Sequence, residues 1–296
     1  MDRQLGALLG LAAGDAVGTT VEFKPRGTFS PVADLVGGGP FRLEPGQWTD
    51  DTSMALCLAT SLVERNGFDA RDQMERYCRW ADQGYLSSTG RCFDIGITIS
   101  EALQQFKQTG EPFAGSTHPR KAGNGSIMRL APVAMFFQRN RDAALHYAAL
   151  SSMTTHATTE CVDACRLMAS MLIRAFDGGS KEAMLLGDRA FIGAPRIQAI
   201  ARGDWRDKSE AQVVGSGYVV QSLEAAVWCV DTTDSFEAAV LRATNLGDDA
   251  DTTAAVAGQL AGALYGRSGI PARWLERLTM RTAIEALATR LVTGTG

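Results

Sequence analysis

Two series of glycines, repeated every four residues inside apolar segments, limit most strongly how this chain can fold. The first series is Gly6, Gly10, Gly14 and Gly18, and the second is Gly258, Gly262 and Gly266. A glycine inside a helix costs about 1 kcal/mol relative to alanine, so repeated glycines need a compensating contact. The four-residue step places each series on one helix face, where the missing side chains let a neighbouring backbone approach. We therefore expect these glycines to serve close helix packing and nothing else.

The apolar pattern of the remaining chain is also helical, and sustained strand-like alternation is hard to find. The predicted helices cover residues 2–20, 51–66, 70–82, 93–107, 125–137, 140–152, 158–177, 180–190, 214–231, 234–245, 252–266 and 272–293. Long irregular segments at 24–47, 110–123 and 193–208 separate some of them, and loops of this length commonly bind ligands. No linker or fixed-period repeat divides the chain. We expect an all-α fold with a single multi-helix domain over residues 1–296.

Composition excludes several classes of protein. The 29 Lys and Arg residues against 33 Asp and Glu residues give a formal charge of −4, which argues against a basic nucleic-acid-binding surface. Hydrophobic residues make up 45% of the chain and charged residues 21%, so the chain is not intrinsically disordered. No apolar run reaches the ~18 residues of a membrane span, and the run at 5–13 lacks the flanks of a signal peptide. We expect a cytoplasmic protein that contacts neither membrane nor nucleic acid.

Two acidic clusters carry the strongest functional signal. Thr49-Asp50-Asp51-Thr52 and Asp248-Asp249-Ala250-Asp251-Thr252-Thr253 each stand directly before a predicted apolar helix. A helix cap needs one such residue, whereas each cluster offers at least four oxygen-bearing side chains. Consecutive carboxylates repel one another unless a cation or solvent compensates. The clusters therefore favour convergence on metal, and helix caps with solvated acids are the alternative that the residues leave open.

The donor types indicate which metal such a site would take. Carboxylate and hydroxyl oxygens without Cys or His select a hard divalent ion, Mg²⁺ or Mn²⁺. Four carboxylates would balance two such ions in charge: Asp50, Asp51, Asp249 and Asp251. The six cysteines contain no CxxC pair and the three histidines lie far apart, so a zinc site is not expected.

Other segments have both a functional and a structural interpretation. The loop Gly123-Asn124-Gly125-Ser126 precedes a predicted helix and could hold a phosphate on free backbone N–H groups, although the residues alone favour an ordinary turn. Glu22 and Asp94 stand among apolar residues and are either functional carboxylates or a loop acid and a helix cap. His156 and Tyr218, taken alone, are more typical of structural residues.

Taken together, these segments resemble the ADP-ribosylglycohydrolase family over nearly the whole chain. The matching segments are residues 5–10, 14–18, Glu22, 46–52, 122–129, 155–156, 217–220 and 249–253. Their order and spacing make the resemblance specific. One departure is Asp248, which stands where many members have a second glycine. Because aspartate tolerates turn conformations, we expect the loop to keep its shape, and we leave Asp248 out of the ligand set.

The resemblance implies an all-helical domain with a dinuclear Mg²⁺ or Mn²⁺ centre. The ligands that it implies are Thr49, Asp50, Asp51, Asp249, Asp251 and Thr252. It implies two catalytic acids, Glu22 closing over the metals and Asp94 beside the scissile bond. The substrate-binding residues that it implies are Gly123, Asn124, Gly125, Ser126, His156 and Tyr218. Tyr218 would lie near adenine.

The implied activity is hydrolysis of the bond from C1″ of ADP-ribose to a modified protein side chain, with arginine as the leading acceptor. An ADP-ribosylated protein would be the substrate and free ADP-ribose a product. Serine-linked, nucleic-acid-linked and small-molecule ADP-ribose are alternatives, and so is a non-catalytic relative of the crystallin kind. An isoprenoid synthase, which is also all-α with Asp-rich Mg²⁺ sites, is disfavoured because Asp50-Asp51 lacks the third acid of a DDxxD motif.

Overall fold

Helices form the regular secondary structure of the computed structural model, which describes residues 1–294. The α-helices are α1 (Asp2–Gly18), α2 (Asp50–Arg65), α3 (Ala70–Gln83), α4 (Ile97–Thr109), α5 (Ala131–Phe136), α6 (Arg141–Met153), α7 (Thr159–Phe176), α8 (Lys181–Leu186), α9 (Pro195–Arg202), α10 (Val219–Asp231), α11 (Phe236–Thr244), α12 (Ala250–Tyr265), α13 (Ala272–Arg277) and α14 (Arg281–Thr293). Short 3₁₀ turns and isolated bridges join them, and these residues contain no strand. The all-α prediction is confirmed.

Helices α1 and α12 form an antiparallel pair at the centre, with their backbones in contact. A Cβ atom built on Gly6 would lie 2.2 Å from the carbonyl oxygen of Gly262, and one on Gly18 would lie 2.4 Å from that of Ala250. Neither approach leaves room for a side chain. The two glycine series therefore face each other, as close-packing positions should, and the carboxyl end of α1 lies beside the amino end of α12.

One continuous hydrophobic core surrounds this pair. Every residue of α12 from Ala250 to Leu264 is buried, as is every residue of α1 from Gly6 to Gly18. Helix α12 also packs against α7, α10 and α11, and α1 packs against α2, α11 and α14. In the described part of the chain, no helix is both long and apolar enough to cross a membrane.

The structure corrects two of the predicted helices and one segment that was predicted to be irregular. The segment 272–293 is two helices, because the chain turns at Met280, whose φ of 54° is left-handed. The segment 125–137 is helical only in α5, since Pro132 in its first turn has no N–H to continue an earlier helix. Helix α9 lies inside the segment 193–208 that was expected to be irregular, and it begins at Pro195, a favourable first position.

Candidate active site

The two acidic clusters lie side by side at the amino ends of α2 and α12. The Thr49 hydroxyl oxygen lies 3.2 Å from Asp251 Oδ2, and the Thr252 hydroxyl donates to Asp51 Oδ2 at 3.3 Å. The positive ends of both helix dipoles therefore point toward the acids, which partly stabilises their negative charge. The convergence expected from the sequence is present in the fold.

Asp15, in the fourth turn of α1, holds the amino end of α2 in place. Its Oδ1 atom accepts from the backbone N–H and the hydroxyl of Thr49, both at 2.9 Å. Its Oδ2 atom accepts from the N–H of Thr52 at 3.0 Å and from its hydroxyl at 2.6 Å. Two of these four hydrogen bonds satisfy orphan backbone donors of this helix terminus. Asp15 thus aligns the first cluster with the central helix pair.

Two groups of three carboxylates share Asp251. In one group, oxygen atoms of Glu22, Asp249 and Asp251 all lie within 4.8 Å of one another, and in the other the same holds for Asp50, Asp94 and Asp251. Glu22 and Asp94, singled out from the sequence as catalytic acids, thus stand among the candidate metal ligands. Two adjacent triads with one common member match the donor arrangement that a dinuclear centre needs.

These acids line a cavity of about 490 Å³. Its wall contains five carboxylate side chains and, over the described residues, no Lys or Arg. Three carboxylate oxygens are buried without a hydrogen-bond partner in the described chain, namely Glu22 Oε2, Asp51 Oδ1 and Asp94 Oδ2. An unpaired buried carboxylate oxygen is costly. The unpartnered oxygens of Glu22 and Asp94 belong to residues that line this one acidic cavity, and such an environment fits a divalent cation.

The protein environment shifts the pKa values of these acids far above their ordinary range. Burial, and then the charge of Asp251, raises the pKa of Asp249 and of Asp15 to about 7. Burial, followed by the charge of Asp50, raises the pKa of Asp94 to about 11. The pKa values of Glu22 and Asp50 are raised by burial and by Asp251. Perturbed acids in a cavity are typical of a functional site.

The loop from Gly123 to Ser126 forms the opposite side of the cavity. The Asn124 side chain donates to Asp249 Oδ2 at 3.0 Å, which ties the loop to the second cluster. His156, which is 2% exposed, lines the cavity beside Gly123 and Gly125. A Cβ atom on Gly125 would lie 2.7 Å from the imidazole ring, so this ring occupies the space that a side chain would need.

Two of the predicted substrate-binding residues do not line this cavity. The Ser126 hydroxyl is buried and accepts a hydrogen bond from Ser152 at 2.9 Å. The Tyr218 hydroxyl donates to Glu160 and accepts from Arg196, both at 2.7 Å. Tyr218 borders a neighbouring cavity of about 300 Å³, and its contact with adenine stays a prediction.

The mouth of the cavity is bordered by two loops that carry Glu22 and Asp94. The ring of Phe41 lies 6.3 Å from that of Phe23 and 5.2 Å from that of Phe93, centroid to centroid. Phe23 and Asp94 have φ values of 62° and 61°, a region that costs energy for residues other than glycine. The three rings therefore connect the two loops that present the acids.

Asp248 occupies a different position from its acidic neighbours. Its side chain is exposed, and its φ is 55°. Its backbone N–H donates to the carbonyl of Lys24 and its carbonyl accepts from the N–H of Phe23, both at 2.8 Å. The loop keeps the expected left-handed turn, and Asp248 anchors the Glu22 loop through its backbone rather than through its carboxylate.

Two residues that shape the site are absent from the predicted set. Asp15 lies within the matching segment 14–18, but no role was predicted for it. A charged residue within an otherwise apolar Gly and Ala helix is itself a signal of a buried polar role. Arg129 is fully buried and donates to the Gly125 carbonyl at 2.8 Å. Arg129 directly precedes the apolar stretch 130–137. A single charged residue beside an apolar run is a comparable signal of a buried polar role.

Comparison with known proteins agrees with this fold. The profile of the ADP-ribosylglycohydrolase family matches residues 1–296. The chain is 47% identical to the ADP-ribosylarginine hydrolase Tri1 of Pseudomonas putida (strain GB-1), over 98% of this chain and 78% of that protein. It is 33% identical to the ADP-ribosyl-[dinitrogen reductase] glycohydrolase of Rhodospirillum rubrum, over 96% of this chain and 92% of that protein.

A solved structure is similar over the whole length. The chain aligns with an ADP-ribosylglycohydrolase-related protein complex with a TM-score of 0.90 and 43% identity, covering 100% of this chain and 98% of the other. These findings define a class of all-helical proteins in which two acidic helix ends lie side by side. The chain belongs to the ADP-ribosylglycohydrolase family and is a glycohydrolase enzyme.

Proposed function

We propose that this enzyme hydrolyses the bond between C1″ of ADP-ribose and a modified arginine side chain, and that it needs two Mg²⁺ or Mn²⁺ ions. The observation that carries the proposal is the pair of carboxylate triads sharing Asp251 in one cavity with the Gly123–Ser126 loop. The name of the Pseudomonas putida relative supports arginine as the acceptor. An ADP-ribosylated protein would be the substrate, and free ADP-ribose one of the products.

The two acidic clusters would hold the cations. The ligands that we propose are Thr49, Asp50, Asp51, Asp249, Asp251 and Thr252. Their support is the convergence of the two helix ends and the unpartnered oxygen Asp51 Oδ1. Such ions supply positive charge that orients hydroxyl groups of the ribose and polarises their oxygens.

The chain's own acids would handle protons and charge around C1″. Hydrolysis breaks the C1″–N bond, adds the water oxygen to C1″ and leaves the water's protons on the guanidine and the new hydroxyl. Glu22 would accept or donate a proton in this exchange. Asp94 would lie beside the departing group, and the negative charge of the cavity would favour the oxocarbenium-like transition state.

The acceptor can be tested by comparing two linkages. A guanidine departs readily only when it carries a proton, and an adjacent carboxylate stabilises that positive charge. A serine linkage releases an alkoxide, which gains less from a nearby anion. We expect ADP-ribosyl-arginine to be hydrolysed faster than ADP-ribosyl-serine, and Asp94→Asn to lose most of that preference, measured as the ratio of kcat/KM values.

A matched control is Asp82→Asn, an exposed acid that pairs with Lys107 away from the cavity. This variant should retain both rates. Equal rates on the two linkages in the wild type would remove the arginine assignment, as would a preference that Asp94→Asn leaves unchanged. Neither result bears on the proposed metal centre, which chelation tests separately.

A further inference from the structure

His156 has one ring nitrogen inside the protein and the other at the cavity wall. Its Nδ1 atom lies 2.9 Å from the hydroxyl oxygen of Thr155. Its Nε2 atom faces the glycine loop, because Cβ atoms on Gly123 and Gly125 would come within 3.3 and 3.2 Å of it. Over residues 1–294, no protein group bonds Nε2. That nitrogen is therefore available to a ligand.

Arg129 determines the direction of the Thr155 hydroxyl. Its Nη2 atom donates to Thr155 Oγ1 at 2.7 Å, and a guanidinium can only donate. The Thr155 oxygen is thus an acceptor toward Arg129. Within the described chain, the remaining acceptor for the single Thr155 hydroxyl hydrogen is His156 Nδ1. In a neutral ring whose Nδ1 accepts a hydrogen bond, the proton is on Nε2.

We propose that Arg129 and Thr155 are positioning residues that hold His156 as the Nε2–H tautomer, which donates a hydrogen bond to an anionic oxygen of the ligand. That this oxygen belongs to the diphosphate of ADP-ribose rests on the proposed function. The tautomer itself does not, because it follows from protein contacts alone.

The surroundings keep the imidazole neutral. Burial, and then the positive charge of Arg129, lowers the pKa of His156 to about 3. Arg129 is itself fully buried, with its guanidinium 4.8 Å from the ring centre of Tyr77. Within residues 1–294 it forms no ion pair with a carboxylate. Its uncompensated charge lies behind the ring and disfavours a second positive charge there.

The same guanidinium orients the loop on which the ring rests. Arg129 Nη1 donates to the carbonyl of Gly125 at 2.8 Å. The backbone N–H of Gly125, a residue that lines the cavity, has no backbone acceptor in the part of the chain that the structure describes. The ring N–H and this backbone N–H are therefore neighbouring donors in an otherwise acidic cavity. Adjacent N–H donors favour an oxyanion.

The tautomer can be read directly by NMR, because the chain has only three histidines. In protein labelled with ¹⁵N-histidine, long-range ¹⁵N–¹H correlation at pH 7 should show His156 with Nδ1 unprotonated and Nε2 protonated. Thr155→Val removes the hydroxyl at nearly constant volume, so Nδ1 loses its donor. We expect a mixture of tautomers in this variant and about tenfold weaker ADP-ribose binding, the scale of one hydrogen bond. Thr155→Ser should restore both.

Thr154→Val is the matched control. Thr154 also accepts from Arg129, at 3.2 Å, but donates to the Ser151 carbonyl and not to His156. It should keep the wild-type histidine spectrum and affinity.

An Nδ1–H tautomer or an imidazolium in the wild type at pH 7 would overturn the proposal, even if Thr155→Val failed to fold. Equal spectra for Thr155→Val and Thr154→Val would also overturn it. If the predicted tautomer is present but ADP-ribose does not bind, the proposed function fails together with the ligand assignment, while the positioning role stands.

Discussion

Among single residues, Glu22 has the position best suited to proton transfer at the cavity. It is 5% exposed and follows directly on the 3₁₀ turn Thr19–Val21 that extends α1. Its Oε2 atom has no partner in the described chain, and its other neighbours in the cavity are acids. The next residue, Phe23, is anchored by its N–H to the Asp248 carbonyl. The backbone therefore fixes the carboxylate over the second cluster.

Glu22→Gln should lower kcat by roughly 100-fold or more, the usual scale for the loss of a general acid–base group. The amide has nearly the same shape, so ADP-ribose affinity should change much less. Single-turnover kinetics and calorimetric titration measure the two effects separately. Glu44→Gln changes an exposed acid of the following loop and should leave kcat as it is. An unchanged kcat in Glu22→Gln would show that Glu22 takes no part in proton transfer.

Residue roles were predictable from sequence where the signal is local. The acids of both clusters stand next to helix starts, and that placement alone indicated their convergence. The role of Asp15 depends on Thr49 and Thr52, which lie 34 and 37 residues away. The direction of the Tyr218 side chain depends on Glu160 and Arg196 in the same way. Such partners are set by packing, which the local pattern does not contain.

At the scale of elements, the α1–α12 pair is the structure on which the site depends. The two helices contact each other backbone to backbone. An added side chain therefore cannot be accommodated by a change of rotamer in its neighbours. A Cβ atom on Gly258 would lie 2.0 Å from the carbonyl oxygen of Gly10. Real Cβ atoms do not approach so closely, and the obstacle is backbone rather than a flexible side chain. The helices would have to separate.

Gly258→Ala should therefore lower the free energy of unfolding by about 3 kcal/mol, the upper end of the usual cost of overpacking. Urea denaturation followed by circular dichroism measures this loss. Gly67→Ala is the control, since a Cβ atom there would meet only one backbone oxygen, at 4.0 Å. Its effect should stay within about 0.5 kcal/mol. A Gly258→Ala protein as stable as wild type would show that the pair tolerates separation.

Element boundaries were less predictable than element type. The periodic pattern over 272–293 is helical throughout, yet the chain breaks near Met280 because the backbone N–H of Thr279 pairs with a distant residue. The Thr279 N–H donates to the Gly46 carbonyl at 3.0 Å, a contact with a residue far away in sequence. A tertiary hydrogen bond of this kind interrupts a helix without leaving a signal in the local pattern.

For the whole molecule, the acidic cavity is a source of instability as well as of activity. The triads join α2 to α12 across 202 residues of sequence, the separation between Thr49 and Asp251. Their carboxylates repel one another in the absence of a cation. A bound divalent ion would offset this repulsion and link α2 to α12. Metal should therefore stabilise the entire protein and not only the cavity.

We expect saturating Mg²⁺ or Mn²⁺ to raise the Tm of the chelated protein by about 4 °C. The basis is roughly 2.7 kcal/mol at a ligand concentration of 100 Kd and about 1.6 °C per kcal/mol for 296 residues, from an unfolding entropy of about 2.1 cal/mol/K per residue. Chelation should also abolish turnover, and either ion should restore it. Differential scanning calorimetry with and without EDTA measures the shift.

The variants Asp51→Ala and Asp251→Ala should lose turnover and most of the metal-induced Tm shift while keeping wild-type helicity. Removing one acid relieves repulsion in the metal-free state. Asp82→Ala, on an exposed ion pair, should keep the full shift. Near-full activity with Mg²⁺ in either site variant would show that the two clusters do not form one centre.

The antiparallel α1–α12 pair also has a consequence for how the protein is made. Helix α1 leaves the ribosome before the backbone that it packs against, which emerges more than 200 residues later. At about 5–20 residues per second, the interval between Thr49 and Asp251, 202 residues apart, is roughly 10–40 s. During that time the Gly and Ala face of α1 lacks its native partner. The nascent chain therefore cannot form the complete cavity until α12 has been translated, and this face of α1 depends on solvent or on chaperones in the meantime.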